Sequence, residues 1–489
     1  MPFKESLKHP VRDITAGCVP QSWRIAKPVH RTILVAVMPH SAPPIPVKVP
    51  LVTEPWGIFR SLAAARRNVL EILPDLATRQ PVVSGKTGKR WHMVMDPDAL
   101  RHILKDRLRN YPKSDVTKNI LRPAIGDSLF IAEGAHWHWQ RRAAAPAFSP
   151  RNIGNLAPAM CLAADRACER LDKTQGGAVD MFDEMTLTTF EVISDVTFSG
   201  DEGFDRTAIH KAIDSYIDQT ARISLLDILG VPSWIPRPSR LISSGALKQM
   251  KQVADRAIEN RVGAGKHKIP DLLDLLLSGE DPETKRRMNT AELRDNLLTF
   301  IVAGHETTAL TLAWALYLCA FDQTVQDRAR TEAQSVLDGH TATAKDLPAL
   351  PYIRQIIDEA LRLYPPAAML SRTAQAADVL CDREIRPKDT VMLPIYALHR
   401  NHLLWDNPDA FDPDRFTDPA QIDRFAYLPF GAGPRVCIGA GFAIQEAVII
   451  LATLLSRFRF TPIAGRAPKP VMILTLRPEG GVWLTAERL

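Results

Sequence analysis

Apolar residues in this chain gather into long runs with a helical period, and strict alternation is confined to short pieces. The longest run, Thr290–Phe321, is apolar almost all round and predicts a buried helix, started by Asn289-Thr290-Ala291-Glu292. A second apolar helix is expected from Phe442 through Ala447 and Ile450 to Leu454. Further helices are expected over 56–73, with Arg66 and Arg67 on the polar side, and from Asp96-Pro97 through Leu100, Ile103 and Leu104. Strand signals are brief: 81–83 and 91–95 around Gly85-Lys86-Thr87-Gly88, then 373–380, 390–393, 472–476 and 481–484. Residues 150–252 read as mainly helical, and Pro232, Pro236 and Pro238 suit either a mobile lid or a plain loop. The fold class is therefore mainly α with small β-sheets (α+β). Residues 1–50 are studded with proline and read as an irregular arm, and residues 51–489 read as one domain.

Polar intrusions in this pattern carry the candidate chemistry. Ala303-Gly304-His305-Glu306-Thr307-Thr308 puts an acid and two hydroxyls inside the most apolar helix, where unpartnered polar groups are costly. The bland account is a helix-bonded threonine beside a buried ion pair. Near the C-terminus, Phe430-Gly431-Ala432-Gly433-Pro434-Arg435-Val436-Cys437-Ile438-Gly439 sets one cysteine between glycines, just ahead of an apolar helix. A thiolate that ligates iron needs hydrogen-bond donors to tune it, and a helix N-terminus favours its charge. Gly439 leaves room beside the sulfur, Phe430 can shield it, and the planar fork of Arg435 suits a carboxylate. For the cysteine alone, a buried structural thiol on a glycine-rich turn is the better reading. Trp137 and Arg141 lie four apart on one helix face, with His136 and His138 turned to other faces and expected toward solvent. Glu359 and Arg362 lie three apart, and Phe411-Asp412-Pro413-Asp414-Arg415-Phe416 follows about fifty residues later.

Composition narrows the class only slightly. Of 489 residues, 46% are hydrophobic and 24% charged, and the net charge of +6 is too mild to argue for nucleic acid. Cys18, Cys161, Cys168, Cys319, Cys381 and Cys437 form no C-x-x-C pair, so free thiols in a reducing compartment are expected. The run 33–38 is too short for a signal-peptide core, and no stretch approaches the roughly 20 apolar residues of a span. A cytoplasmic, bacterial protein without a transmembrane anchor is the expectation.

The order F-x-x-G-x-R-x-C-x-G, together with W-x-x-x-R, A-G-x-E-T-T and E-x-x-R, resembles the cytochrome P450 family over roughly 56–489. Asp414 stands where relatives usually have glutamate, and Asp382 and Asp389 where they often have glycine. The AGHETT text and the Gly126-Asp127-Ser128-Leu129-Phe130 loop look most like bacterial fatty-acid hydroxylase haem domains. This resemblance implies the cytochrome P450 fold as a single haem domain, with haem b held by Cys437 as iron ligand. Trp137, Arg141, Arg372, His399 and Arg435 are then the candidates for the haem carboxylates, with Phe430 and Gly439 beside the thiolate. Glu306 and Thr307 become a proton-handling pair, and Glu359, Arg362 and Arg415 a structural ion cluster. Phe130, Ala303, Ala367, Ala368, Met369 and Leu474 become the substrate wall. None of these six is charged, which favours a fatty acid, terpenoid or steroid-like guest. Lys86, Lys89 and Arg90 are available cations should that guest carry a carboxylate. The implied reaction is insertion of one oxygen atom of O2. The alternatives are a haem-thiolate peroxygenase or isomerase, and a non-catalytic haem sensor. With no flavin or iron–sulfur module after Leu489, electrons are expected from ferredoxin or flavodoxin and its NAD(P)H reductase. Arg141, Arg142 and Arg435 are candidates for steering that donor onto a monomeric enzyme.

Overall fold

The 32-residue helix Thr290–Phe321 is the axis of the molecule. Asn289 and Glu292 start it with a reciprocal capping box: each side chain accepts the other's backbone N–H. The computed structural model describes residues 45–54, 56–87, 89–197, 244–265, 269–472 and 474–489. Most of the proline-rich arm and the connection at 225–238 therefore lie outside the described residues. Residues 45–50 belong with the body: Val47 and Val49 donate to the hydroxyls of Tyr317 and Tyr396, and Val47 O accepts from Tyr364.

Met181–Thr197, Ser244–Ala264, Pro351–Leu363 and Ala440–Arg457 pack directly on the central helix. Being apolar on every side, it must be covered on every side. Ala440–Arg457 is long and apolar enough to cross a membrane, but two-thirds of it is buried within this fold, as a core helix would be. It is the one such helix among the described residues.

The strands form small sheets at the edges. Val82–Thr87 pairs antiparallel with Lys89–Val94, which runs parallel to Thr390–Leu393, which in turn pairs antiparallel with Leu370–Thr373. Ala178–Asp180, Trp483–Arg488 and Phe458–Pro462 make a second sheet. The strand expected over 472–476 is not continuous: Met472 ends one strand and Leu476 begins the next, paired with it in the antiparallel pair Lys469–Met472 and Leu476–Glu479. The helix expected over 56–73 ends at Arg67. Asn68 is extended and buried, accepts N–H bonds from Leu70 and Met472, and donates to Pro470 O. Its side chain competes with the helix for backbone partners. Of the two aspartates noted above, Asp382 adopts a left-handed φ of 59°, and Asp389 is a buried acceptor for Arg386 N–H and Arg90.

Candidate active site

Cys437 sits on a tight turn whose shape depends on glycine. Gly431 and Gly433 have φ of 70° and 69°, and a Cβ on Gly433 would lie 2.2 Å from Leu104 O. Cys437 N–H donates to Phe430 O at 2.9 Å. Burial pushes the thiol up, while the amides of Gly439 and Ala440 and the charge of Arg141 pull it down. Burial prevails and holds the thiol above its usual range, but those groups favour the thiolate once a metal binds. Protein atoms surround Cys437 on nearly every side, yet its surface is accessible. The two facts agree if the sulfur opens on an internal cavity.

The central helix shows the same sign. Ala303 is exposed and Val302, Gly304 and Thr307 half-exposed, between buried stretches at 296–301 and 308–320. Thr307 Oγ1 donates to Ala303 O at 2.8 Å, and the buried Glu306 accepts from Thr475 Oγ1 at 2.7 Å and Arg477 Nε at 2.6 Å. In this state the pair takes the bland form, a helix-bonded threonine beside a buried ion pair. Beside it lies an acid that the sequence reading missed. Glu446, on the helix after the cysteine, bonds Thr308, and burial pushes it up to about 8.

A cluster of cations gathers around Arg435, which lies against Trp137. Arg435 lies 4.5 Å over its ring, donates to Ala132 O at 2.8 Å and pairs with Glu133. Arg372 is 5% exposed, and its Nε has no hydrogen-bond partner among the described residues. Burial first, then the charge of Arg435, brings it down to about 10. Lys113 is pushed well below its usual range by burial, Arg372 and Arg435. Such a buried excess of positive charge, with an orphaned guanidinium N–H, fits a group bearing carboxylates. Cys437 and this cluster together fit haem. Lys113 and Glu133 were not legible in the sequence, since neither stands in a motif nor at a periodic position.

Two expected site residues lie elsewhere. His399 is fully buried, with Nδ1 on Arg362 O at 3.2 Å and Nε2 accepting from Leu428 N–H at 2.8 Å. Burial, with Arg362 next, lowers it to about 3, so it is neutral and committed to backbone rather than to a carboxylate. Ala368 is fully buried in the core, so it is not a pocket wall, whereas Ala367 is exposed and Met369 and Leu474 are half-buried. His136 is half-buried and bonded to Gln140, not turned to solvent as expected. Arg142, expected on a docking face, is held by Asp281 at 2.6 and 3.0 Å and by Glu283 at 3.1 Å.

Glu359 and Arg362 form the buried pair expected of them, at 2.6 and 2.7 Å, with Arg415 Nε 3.4 Å from Glu359. The remaining Arg362 donors reach His399 O, Pro408 O and Ala410 O. This cluster ties the helix Pro351–Leu363 to the chain leading into the cysteine turn.

A mainly helical fold around one long helix, with an accessible cysteine on a glycine turn and a cluster of cations short of negative charge, is the arrangement a haem-thiolate protein needs. Residues 50–485 match the Cytochrome P450 family, and the chain belongs to that family. It is 32% identical to cyclooctat-9-en-7-ol 5-monooxygenase of Streptomyces melanosporofaciens, over 86% of this chain and 90% of that one. It is 31% identical to cytokinin hydroxylase of Arabidopsis thaliana, over 86% and 84%. Among solved structures, the cytochrome P450DA heme domain superposes with a TM-score of 0.73 at 29% identity, covering 84% of this chain and 90% of that one. The protein is a haem-dependent monooxygenase.

Proposed function

We propose that this enzyme hydroxylates a neutral lipophilic substrate of terpenoid or steroid-like skeleton, with haem b on Cys437 and electrons from a ferredoxin or flavodoxin. The observation that carries this is the exposed Ala303, with Val302, Gly304 and Thr307 half-exposed, in the buried middle of the central helix, beside residues that fit a haem. Phe130, Ala303, Ala367, Met369 and Leu474 supply an apolar wall, and burial of apolar surface gains about 25 cal/mol per Å². Two observations favour a neutral guest over a fatty acid. Arg90, one of the three cations available to a carboxylate, is taken by Asp389 and Glu384, and a relative bears the name cyclooctat-9-en-7-ol 5-monooxygenase. Arg142 being paired, donor docking rests on fewer cations than the sequence reading supposed.

When bound, haem supplies the activation of O2 that lets one oxygen atom enter a C–H bond. The chain's own residues supply position and protons. Arg372, Arg435 and Lys113 would hold the cofactor's carboxylates, Trp137 stacks on Arg435, and the Gly439 and Ala440 amides would tune the sulfur. To pass a proton, Thr307 turns its hydroxyl from Ala303 O and Glu306 loosens from Arg477. Thr307→Ala should lower the product formed per electron consumed, by about tenfold or more for a general acid–base contribution. Unchanged coupling would remove Thr307 from this role. Product carrying oxygen from labelled O2 separates a monooxygenase from a peroxygenase, an isomerase or a sensor. A spectral-shift screen of terpene alcohols, steroids and fatty acids tests the substrate class. Shifts with fatty acids alone would overturn the neutral-guest reading.

A further inference from the structure

The four residues before Phe130 are each held in place. Gly126 takes a φ of 54°, and a Cβ there would come within 1.7 Å of Asp295 Oδ2. Asp127 O accepts from Gln140 Nε2 at 3.0 Å. The hydroxyls of Ser128 and Thr299 are bonded at 2.7 Å. Leu129 N–H donates to Asn296 Oδ1 at 2.9 Å. Asn296 Nδ2 then donates to Gln140 Oε1 and Glu292 O, both at 2.8 Å, so two buried amides join the helices Gly134–Ala144 and Thr290–Phe321 into one clamp.

The next residue is Phe130, which is 40% exposed, with the Lys113 ammonium 3.6 Å from its ring centre. Asp295, Asn296 and Thr299 all belong to the central helix. Thr299 is one turn ahead of Ala303, and Asn296 lies further back along the same helix. The loop is thus indexed to the helix that carries Ala303 and Thr307, and a displaced Leu129 carries Phe130 with it. Buried amides with all partners in place rigidify what they join.

We propose that Asn296, seconded by Thr299 and Gln140, is a positioning residue for Phe130 and sets the space open to a substrate beside the iron. This rests on the reading of Phe130 as a pocket wall. The test uses the haem-loaded enzyme and two iron-ligating probes, imidazole and 4-phenylimidazole. The ratio of their dissociation constants, read from the spectral shift, reports room for a ring and is insensitive to general loss of stability. Asn296→Ala and Thr299→Val should each change that ratio at least about twofold, the lower range for coupled neighbours. Asn296→Asp keeps the acceptor for Leu129 N–H and should stay nearer the wild-type ratio. In a Phe130→Ala background, Asn296→Ala should add no further change. If Phe130→Ala alone leaves the ratio unchanged, the pocket reading fails. If Phe130→Ala changes it but Asn296→Ala and Thr299→Val lower only the melting temperature, or add independently to Phe130→Ala, the clamp is structural and the proposal is overturned.

Discussion

Two clusters of buried charge in this molecule differ in how they are satisfied. Around Glu359 and Arg362, both carboxylate oxygens accept and all three guanidinium nitrogens donate. Around Arg372 and Lys113, cations lie close enough to lower one another's proton affinity, and an N–H points at nothing among the described residues. A completed cluster holds the fold together; one left short of negative charge is shaped for something outside the chain. Burial alone does not separate these cases, nor does one orphaned N–H, since Arg415 Nε beside Glu359 also lacks a hydrogen bond among the described residues; the balance of charge does.

The largest effect should come from breaking the completed cluster. Glu359→Gln strands the Arg362 charge in a fully buried site and should cost about 3–5 kcal/mol, seen as a large fall in melting temperature or in soluble yield. A variant that melts like wild type would show that the pair is dispensable. The second cluster should respond with the opposite sign. Arg372→Met removes a buried cation with an orphaned donor, so the haem-free protein should gain about 1–3 kcal/mol, while haem transfer to apomyoglobin accelerates. Destabilisation of the haem-free form by this change would erase the contrast between the clusters.

Two pH effects sharpen the comparison. His399 belongs to the completed cluster and is held at about 3, below the unperturbed value of about 6.5. Between these values the unfolded chain binds more protons, so stability should fall as pH drops from about 6.5 toward 3. Glu446 runs the other way. Its carboxyl is held at about 8, so between about 4.5 and 8 the folded state keeps a proton that the unfolded chain has lost, and stability should fall as pH rises through that window. Glu446→Gln should therefore gain on wild type from pH 5 to pH 8. Parallel melting curves across that range would place the Glu446 proton elsewhere.

The sequence carried what is local or spelled by a motif. The capping box at Asn289 and Glu292, the apolar central helix, the glycine turn at Cys437 and the Glu359–Arg362 pair were all legible, because spacing on one helix or turn sets their geometry. What failed depended on distant partners. Asn68 ends a helix because Pro470 and Met472 lie against it, and nothing local announces that. His399 was placed by family position, yet the backbone of Arg362 and Leu428 claims both its nitrogens. Ala368 and Ala367 are neighbours with opposite exposure on a turn whose facing only the tertiary fold decides. Lys113, Glu133 and Glu446 reach the site from segments with no signature of their own.

The most direct test of Cys437 as the iron ligand is the absorption spectrum of the reduced carbon monoxide complex, compared between the native enzyme and Cys437→His. The native protein should give the red-shifted band of thiolate-ligated haem, and the variant the band of histidine-ligated haem. A histidine-type band from native, folded enzyme, unchanged in the variant, would contradict it.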